Sequence, residues 1–144
     1  MGLQNASLGA IALLCISAAE ASEPFNLVCT GTLSSRSIDG ATEKPYRSVY
    51  RIDLDRGKWC EGDCDALHDI ASVQPTQIAL QDKRVDTPSE RSMIADLIDR
   101  RTGEHTVTAT SATPGRRGSV LIMQWHGQCE RAPFTGFPSF ETKF

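Results

Sequence analysis

The sequence predicts a mainly β domain of about eight antiparallel strands, closed into a small barrel or stacked as a sandwich, with a Phe-rich C-terminal tail. Three observations lead there. Apolar and polar residues alternate over much of the chain, the period of a half-buried strand. No segment sustains a helical stripe; residues 93–98 come nearest. Two cysteines, Cys29 and Cys129, fall on the inward faces of the first and last long strands, so the ends of the sheet meet if those strands are neighbours.

The first 21 residues stand apart from that pattern. Residues 8–19 form an apolar, uncharged run of signal-peptide length, well short of the roughly 20 residues that span a bilayer. Ala19-Glu20-Ala21 has the A-x-A form, which places cleavage after Ala21. No Lys or Arg precedes Leu8, leaving the α-amino group to orient insertion. Acylation at Cys15 is the competing exported form, but the small residue expected next to an acylated Cys is lacking. The organisation expected is a signal peptide over residues 1–21 and a single β domain over residues 22–144, in the periplasm or outside the cell. At 144 residues, the chain has room for one core.

Within the domain, residues 25–34 place Phe25, Leu27, Cys29 and Leu33 on one face. Residues 36–44 read as a polar loop. Residues 46–54 set Tyr46, Tyr50, Ile52 and Leu54 opposite Arg47, Arg51 and Asp53, and Asp55-Arg56-Gly57 ends the strand. A short return over residues 58–60 leads to a tied or single helical turn over residues 61–69. Two short extended pieces follow, over residues 69–73 and 76–81, separated by Pro75, which cannot donate to a ladder. After a polar loop over residues 83–91 comes the clearest hairpin, residues 92–100 and 104–111 around Arg101-Thr102-Gly103, its second strand rich in β-branched Thr and Val. Residues 112–118 are another polar loop. Residues 119–129 then carry Leu121, Met123, Trp125 and Cys129 on one face. Four of the five Phe residues, Phe134, Phe137, Phe140 and Phe144, lie in a closing segment expected to fold back over the body.

Cleavage would leave four cysteines, an even number suited to an oxidising compartment, with three possible connectivities. The favoured pairing is Cys29 with Cys129 and Cys60 with Cys64, since the second pair shares one short loop. Joining Cys29 to Cys129 closes a loop of about 100 residues, worth up to about 4.7 kcal/mol on the chain-entropy model.

Charge narrows the partners. The full chain carries a formal −3, and loss of Glu20 with the leader makes it −2, which provides no electrostatic footprint for nucleic acid or anionic lipid. Membrane insertion as a β-barrel is disfavoured by Arg47, Arg51 and Asp53 on one face and by Pro138 in the last segment, although the chain ends on Phe144.

Candidate chemistry is sparse. Ser119 lacks the G-x-S-x-G elbow. His126 and Cys129 point to opposite faces of one strand, so imidazole activation of that thiol is not expected. Cys60, Cys64 and His68 recur every four residues among Glu61, Asp63, Asp65 and Asp69, but a fourth zinc ligand and the D-x-[DN]-x-[DN]-G calcium pattern are absent. Gly57-Lys58-Trp59 has the G-x-W form of lipocalins, yet it follows a full strand rather than opening the first; Trp59 is read as a core or rim aromatic. Arg100-Arg101 and Arg116-Arg117 are read as solvated turn charges. Accordingly no catalytic, cofactor or metal residue is expected, and no cofactor.

Cys29-Thr30-Gly31-Thr32, Tyr50-Arg51-Ile52-Asp53-Leu54, Arg101-Thr102-Gly103-Glu104 and Ala132-Pro133-Phe134-Thr135-Gly136-Phe137 together resemble a group of small exported alphaproteobacterial proteins of uncharacterised function. The resemblance implies a bacterial periplasmic setting and carries over no site residue. The functional expectation is a non-enzymatic periplasmic or secreted β module that binds an envelope protein or a small ligand, with residues 36–44, the Cys60-to-Cys64 turn and the tail as candidate contacts. An inhibitor would present a rigid loop, whereas a carrier would keep an apolar cavity inside the barrel. Two alternatives are a hydrolytic enzyme or metal site centred on His68, with Asp65 or Asp69, and an envelope-structural protein. A concave setting for His68 with a carboxylate in reach favours the enzyme; an exposed His68 on a tied turn counts against it.

Overall fold

Period-two alternation becomes nine strands and no helix among residues 22–113, 115 and 120–139, which a computed structural model of the chain describes. The leader with Cys15, Ser119, Arg116-Arg117, and Phe140 and Phe144 of the tail lie outside those residues. The strands are β1 (Phe25–Ser37), β2 (Gly40–Asp53), β3 (Lys58–Glu61), β4 (His68–Asp69), β5 (Ser72–Val73), β6 (Gln77–Asp86), β7 (Arg91–Asp99), β8 (Glu104–Ala112) and β9 (Val120–Pro133).

All pairings are antiparallel, and the order across the single sheet is β4-β3-β2-β1-β9-β8-β7-β6-β5. A single sheet replaces the expected sandwich. Nor is the barrel closed. The sheet curls into a half-barrel whose edge strands β4 and β5 follow each other in sequence but do not pair with each other among the described residues. The physical reason is their length: two residues each, separated by Ile70 and Ala71, make too little ladder to seal the seam.

Two expected loops are strand instead. Residues 36–44 belong mostly to the β1–β2 hairpin, in register from Phe25 opposite Ile52 to Ser37 opposite Gly40, with only Ile38 and Asp39 in the turn. Residues 83–86 extend β6, and only residues 87–90 turn into β7. These extensions run beyond the core, where both faces meet water and the alternation fades. The β7–β8 hairpin matches the expected one to within a residue at each end.

The core fills the concave face towards one end of the half-barrel: Leu27, Cys29, Tyr50, Ile52, Trp59, Ile78, Leu80 and Ile98 are buried together, with Phe25, Tyr46, Leu54, Ile70 and Cys129 packed against them. A bulge between Ala79 and Gln81 lets Ile78, Ala79 and Leu80 all be buried in succession, which a regular strand would forbid. Opposite, β2 over residues 40–49 and β6 over residues 81–86 have a neighbour on one side only among the described residues. Lys44, Pro45, Lys83 and Arg84 blunt those open edges. In the tail, Phe134 and Phe137 meet edge to face with ring centroids 5.2 Å apart, and Asn26 Nδ2 donates to Thr135 Oγ1 at 3.0 Å.

Candidate functional site

The sheet folds over where two glycines face each other. Tyr46 on β2, Gly31 on β1, Gly127 on β9 and His105 on β8 lie in one row across four strands. In a flat sheet, three strand spacings would separate the outer two by about 14 Å. With no side chain on the two middle positions the sheet folds over, and Tyr46 Oη reaches His105 Nδ1 at 2.9 Å. A Cβ on Gly127 would stand 2.5 Å from Tyr46 Oη, and one on Gly31 would run into the His126 backbone. Neither glycine can carry a side chain here.

His105 is fully buried, and each ring nitrogen has a partner. Nε2 lies 3.0 Å from Asp96 Oδ1 on β7 and 3.4 Å from Tyr50 Oη. An ionised carboxylate only accepts, so Nε2 carries the proton and Nδ1 accepts from the Tyr46 hydroxyl. Asp96 is only 3% exposed, which makes this a buried polar network set into an apolar core. Burial, then the Asp96 charge, raises the Tyr46 and Tyr50 hydroxyls above the usual phenol range; for Tyr50, Glu61 and Tyr46 add to the rise and a hydrogen bond with Ser48 opposes it.

Next to His105 along the sheet sit Cys29 and Cys129, register partners with Cα atoms 3.9 Å apart and joined as a disulfide. One ring nitrogen of His105 and the two sulfurs fall within 4.8 Å of one another. While the sulfurs are bonded to each other they are not free to ligate a metal. The other disulfide, Cys60 to Cys64, ties the turn after β3, where Cys64 is the one non-glycine residue with positive φ among those described.

Beyond the disulfide, the mouth of the half-barrel opens into a cavity of about 530 Å³. Its walls are Phe25, Leu27, Leu54, Ile78 and Ile98, and Cys129 and Gly103 line it as well. Gly103 is required by geometry: its φ is +75° and a Cβ would stand 2.7 Å from the Cys129 carbonyl oxygen. The rim is charged. Arg131 lies over the Phe25 ring, 4.7 Å from its centroid, and donates to the Glu23 carbonyl. Asp99 caps the β7–β8 turn by accepting from the Arg101 and Thr102 backbone N–H groups, which hold its carboxyl below the usual range.

His68, the centre of the hydrolytic alternative, is exposed and packs against Trp59 with ring centroids 5.0 Å apart. Asp69 is engaged by Lys58 at 2.5 Å, Asp65 is exposed, and no hydrogen bond joins His68 to a carboxylate among the described residues. His126 is on the outer face, 3.6 Å from Glu104. Trp59 is a core residue, 2% exposed. The histidine that the fold does surround with chemistry is His105, for which the sequence carried one signal: it shares the inward parity of Val107 and Ala109 in β8, where an apolar residue belongs.

Among the described residues no helix is long and apolar enough to cross a membrane. No protein-family model matches the chain, and no curated protein or solved structure matches it.

Proposed function

We propose that the chain is an exported, non-enzymatic β module that binds a small molecule with an apolar body and a polar end in the mouth of the half-barrel. The observation that carries this reading is the 530 Å³ cavity, within the size range of small-molecule sites, lined by five apolar side chains together with Glu23, Asp99, Arg100 and Arg131. Two disulfides and the apolar run of residues 8–19 support an oxidising, exported setting. A protein partner added as a further strand is less favoured, because the open edges carry Lys44, Pro45, Lys83 and Arg84.

Titration with an environment-sensitive apolar fluorophore tests the proposal. Saturable binding near one equivalent, abolished by Leu54→Trp, is the expected result; Leu54 is half-buried on the cavity wall, so the larger ring fills space without displacing the core. Binding that Leu54→Trp leaves intact, or none at all, sinks it.

A further inference from the structure

The disulfide beside the cavity is not symmetric. Cys129 is half-buried and lines the cavity, whereas Cys29 is fully buried and does not. A ring nitrogen of His105, itself held by Asp96 and Tyr46, lies within 4.8 Å of both sulfurs. A buried imidazole–carboxylate pair stands behind the disulfide.

We propose that the Cys29–Cys129 disulfide is a thiol-exchange site, at which a low-molecular-weight thiol entering the cavity attacks Cys129 and displaces Cys29. The inference rests on the cavity being open to small molecules, as the proposed function also requires. The attacking thiolate forms a bond to Cys129 Sγ as the Cys129–Cys29 bond breaks, and the electron pair leaves on Cys29 Sγ. The proton given up when the attacking thiol ionises returns to Cys29 Sγ, and the buried His105 imidazole gives the departing thiolate a polar neighbour. A second equivalent of thiol attacks the mixed disulfide, releases the small-molecule disulfide and leaves both cysteines reduced, so two thiols supply the two electrons. The titratable groups facing His105 are Asp96 from β7, Tyr46 and Tyr50 from β2, and the two cysteines; Glu61 of β3 acts on Tyr50.

The test uses the full domain with 2-mercaptoethanol as probe, under native conditions, followed by alkylation and peptide mapping. The expected product is a mercaptoethanol adduct on Cys129 with alkylated Cys29, formed at a rate that low urea does not change. Adduct on Cys29, or reduction at the rate of global unfolding, overturns the proposal. His105→Asn should slow adduct formation at Cys129 by about tenfold or more while leaving Cys60–Cys64 reduction unchanged; equal rates overturn the part given to His105. If that variant does not fold, the wild-type mapping of the adduct to Cys129 or to Cys29 decides alone. Fluorophore binding without the Cys129 adduct defeats this inference alone, and the adduct without fluorophore binding defeats the apolar-ligand reading alone.

Discussion

Tyr46 and His105, on strands with two others between them, are joined by a 2.9 Å hydrogen bond that passes over Gly31 and Gly127. The bond and the glycine pair define one another: the glycines permit the fold of the sheet, and the bond holds it. Gly127→Ala should therefore cost more than its methyl group suggests. The added Cβ would meet both Tyr46 Oη and the Thr30 backbone, and the expected loss is about 2–3 kcal/mol, read from the urea midpoint. Alanine at Gly57, where no atom lies within 4 Å of the place its Cβ would take, meets no such clash and is the control for backbone strain alone, since its φ is +62°.

Removing Asp96 leaves the His105 Nε2–H group without its carboxylate in a site closed to water. Asp96→Ala should destabilise by about 3 kcal/mol in urea unfolding, and Asp96→Asn, which keeps an acceptor oxygen at the same reach, by clearly less. Equal losses would show that the contribution is packing rather than the polar pair.

The tyrosines predict an alkaline limit. A phenol whose pKa is higher in the folded protein than in the unfolded chain keeps its full contribution below the unfolded value, near 10, and loses it as pH rises towards the folded value. Stability measured between pH 9 and 11.5 should be level at first and then fall above about pH 10. Tyr50→Phe should make that fall shallower.

Non-reducing peptide mapping should recover a Cys29–Cys129 linked pair and a Cys60–Cys64 linked pair. The double substitution Cys29→Ala, Cys129→Ala opens a loop of 100 residues and should cost about 2–5 kcal/mol by thermal or urea unfolding. The same change in the Cys60–Cys64 loop, four residues apart, should cost less.

The parts of the fold legible in the sequence were those where one face is buried. Tyr50, Ile52 and Leu54 alternate with Arg51 and Asp53 because they face the core, and the β7–β8 hairpin shows itself through Gly103 and the Thr-Val run. The outer halves of β1, β2 and β6 were not legible, since residues such as Thr42 and Arg84 see water on both faces and carry no alternation. Closure was not legible either, because it depends on whether two-residue strands pair. At the site, Phe25, Leu27 and Leu54 of the wall were named from their parity and Ile78 and Ile98 were not, while His105 gains its meaning only from Asp96, Tyr46 and the two glycines, which are adjacent only through register.

The order of strands has one more consequence. Counted from β5, the sheet runs β5-β6-β7-β8-β9-β1-β2-β3-β4, so every neighbour is also a sequence neighbour once β9 is taken to lead into β1. Phe25 and Pro133, at the outer ends of those two strands, are register partners, and the edge strands are separated by only two residues. Topologically the domain is a cyclic meander that the chain happens to cut between β9 and β1. All its pairings are local except that one, so a circular permutant joined there and opened between Ile70 and Ala71 would have a lower contact order and should fold faster to the same structure. In the natural order, β1–β9 is the one pairing of strands far apart in the chain, and the cystine bridging those strands lies on that seam.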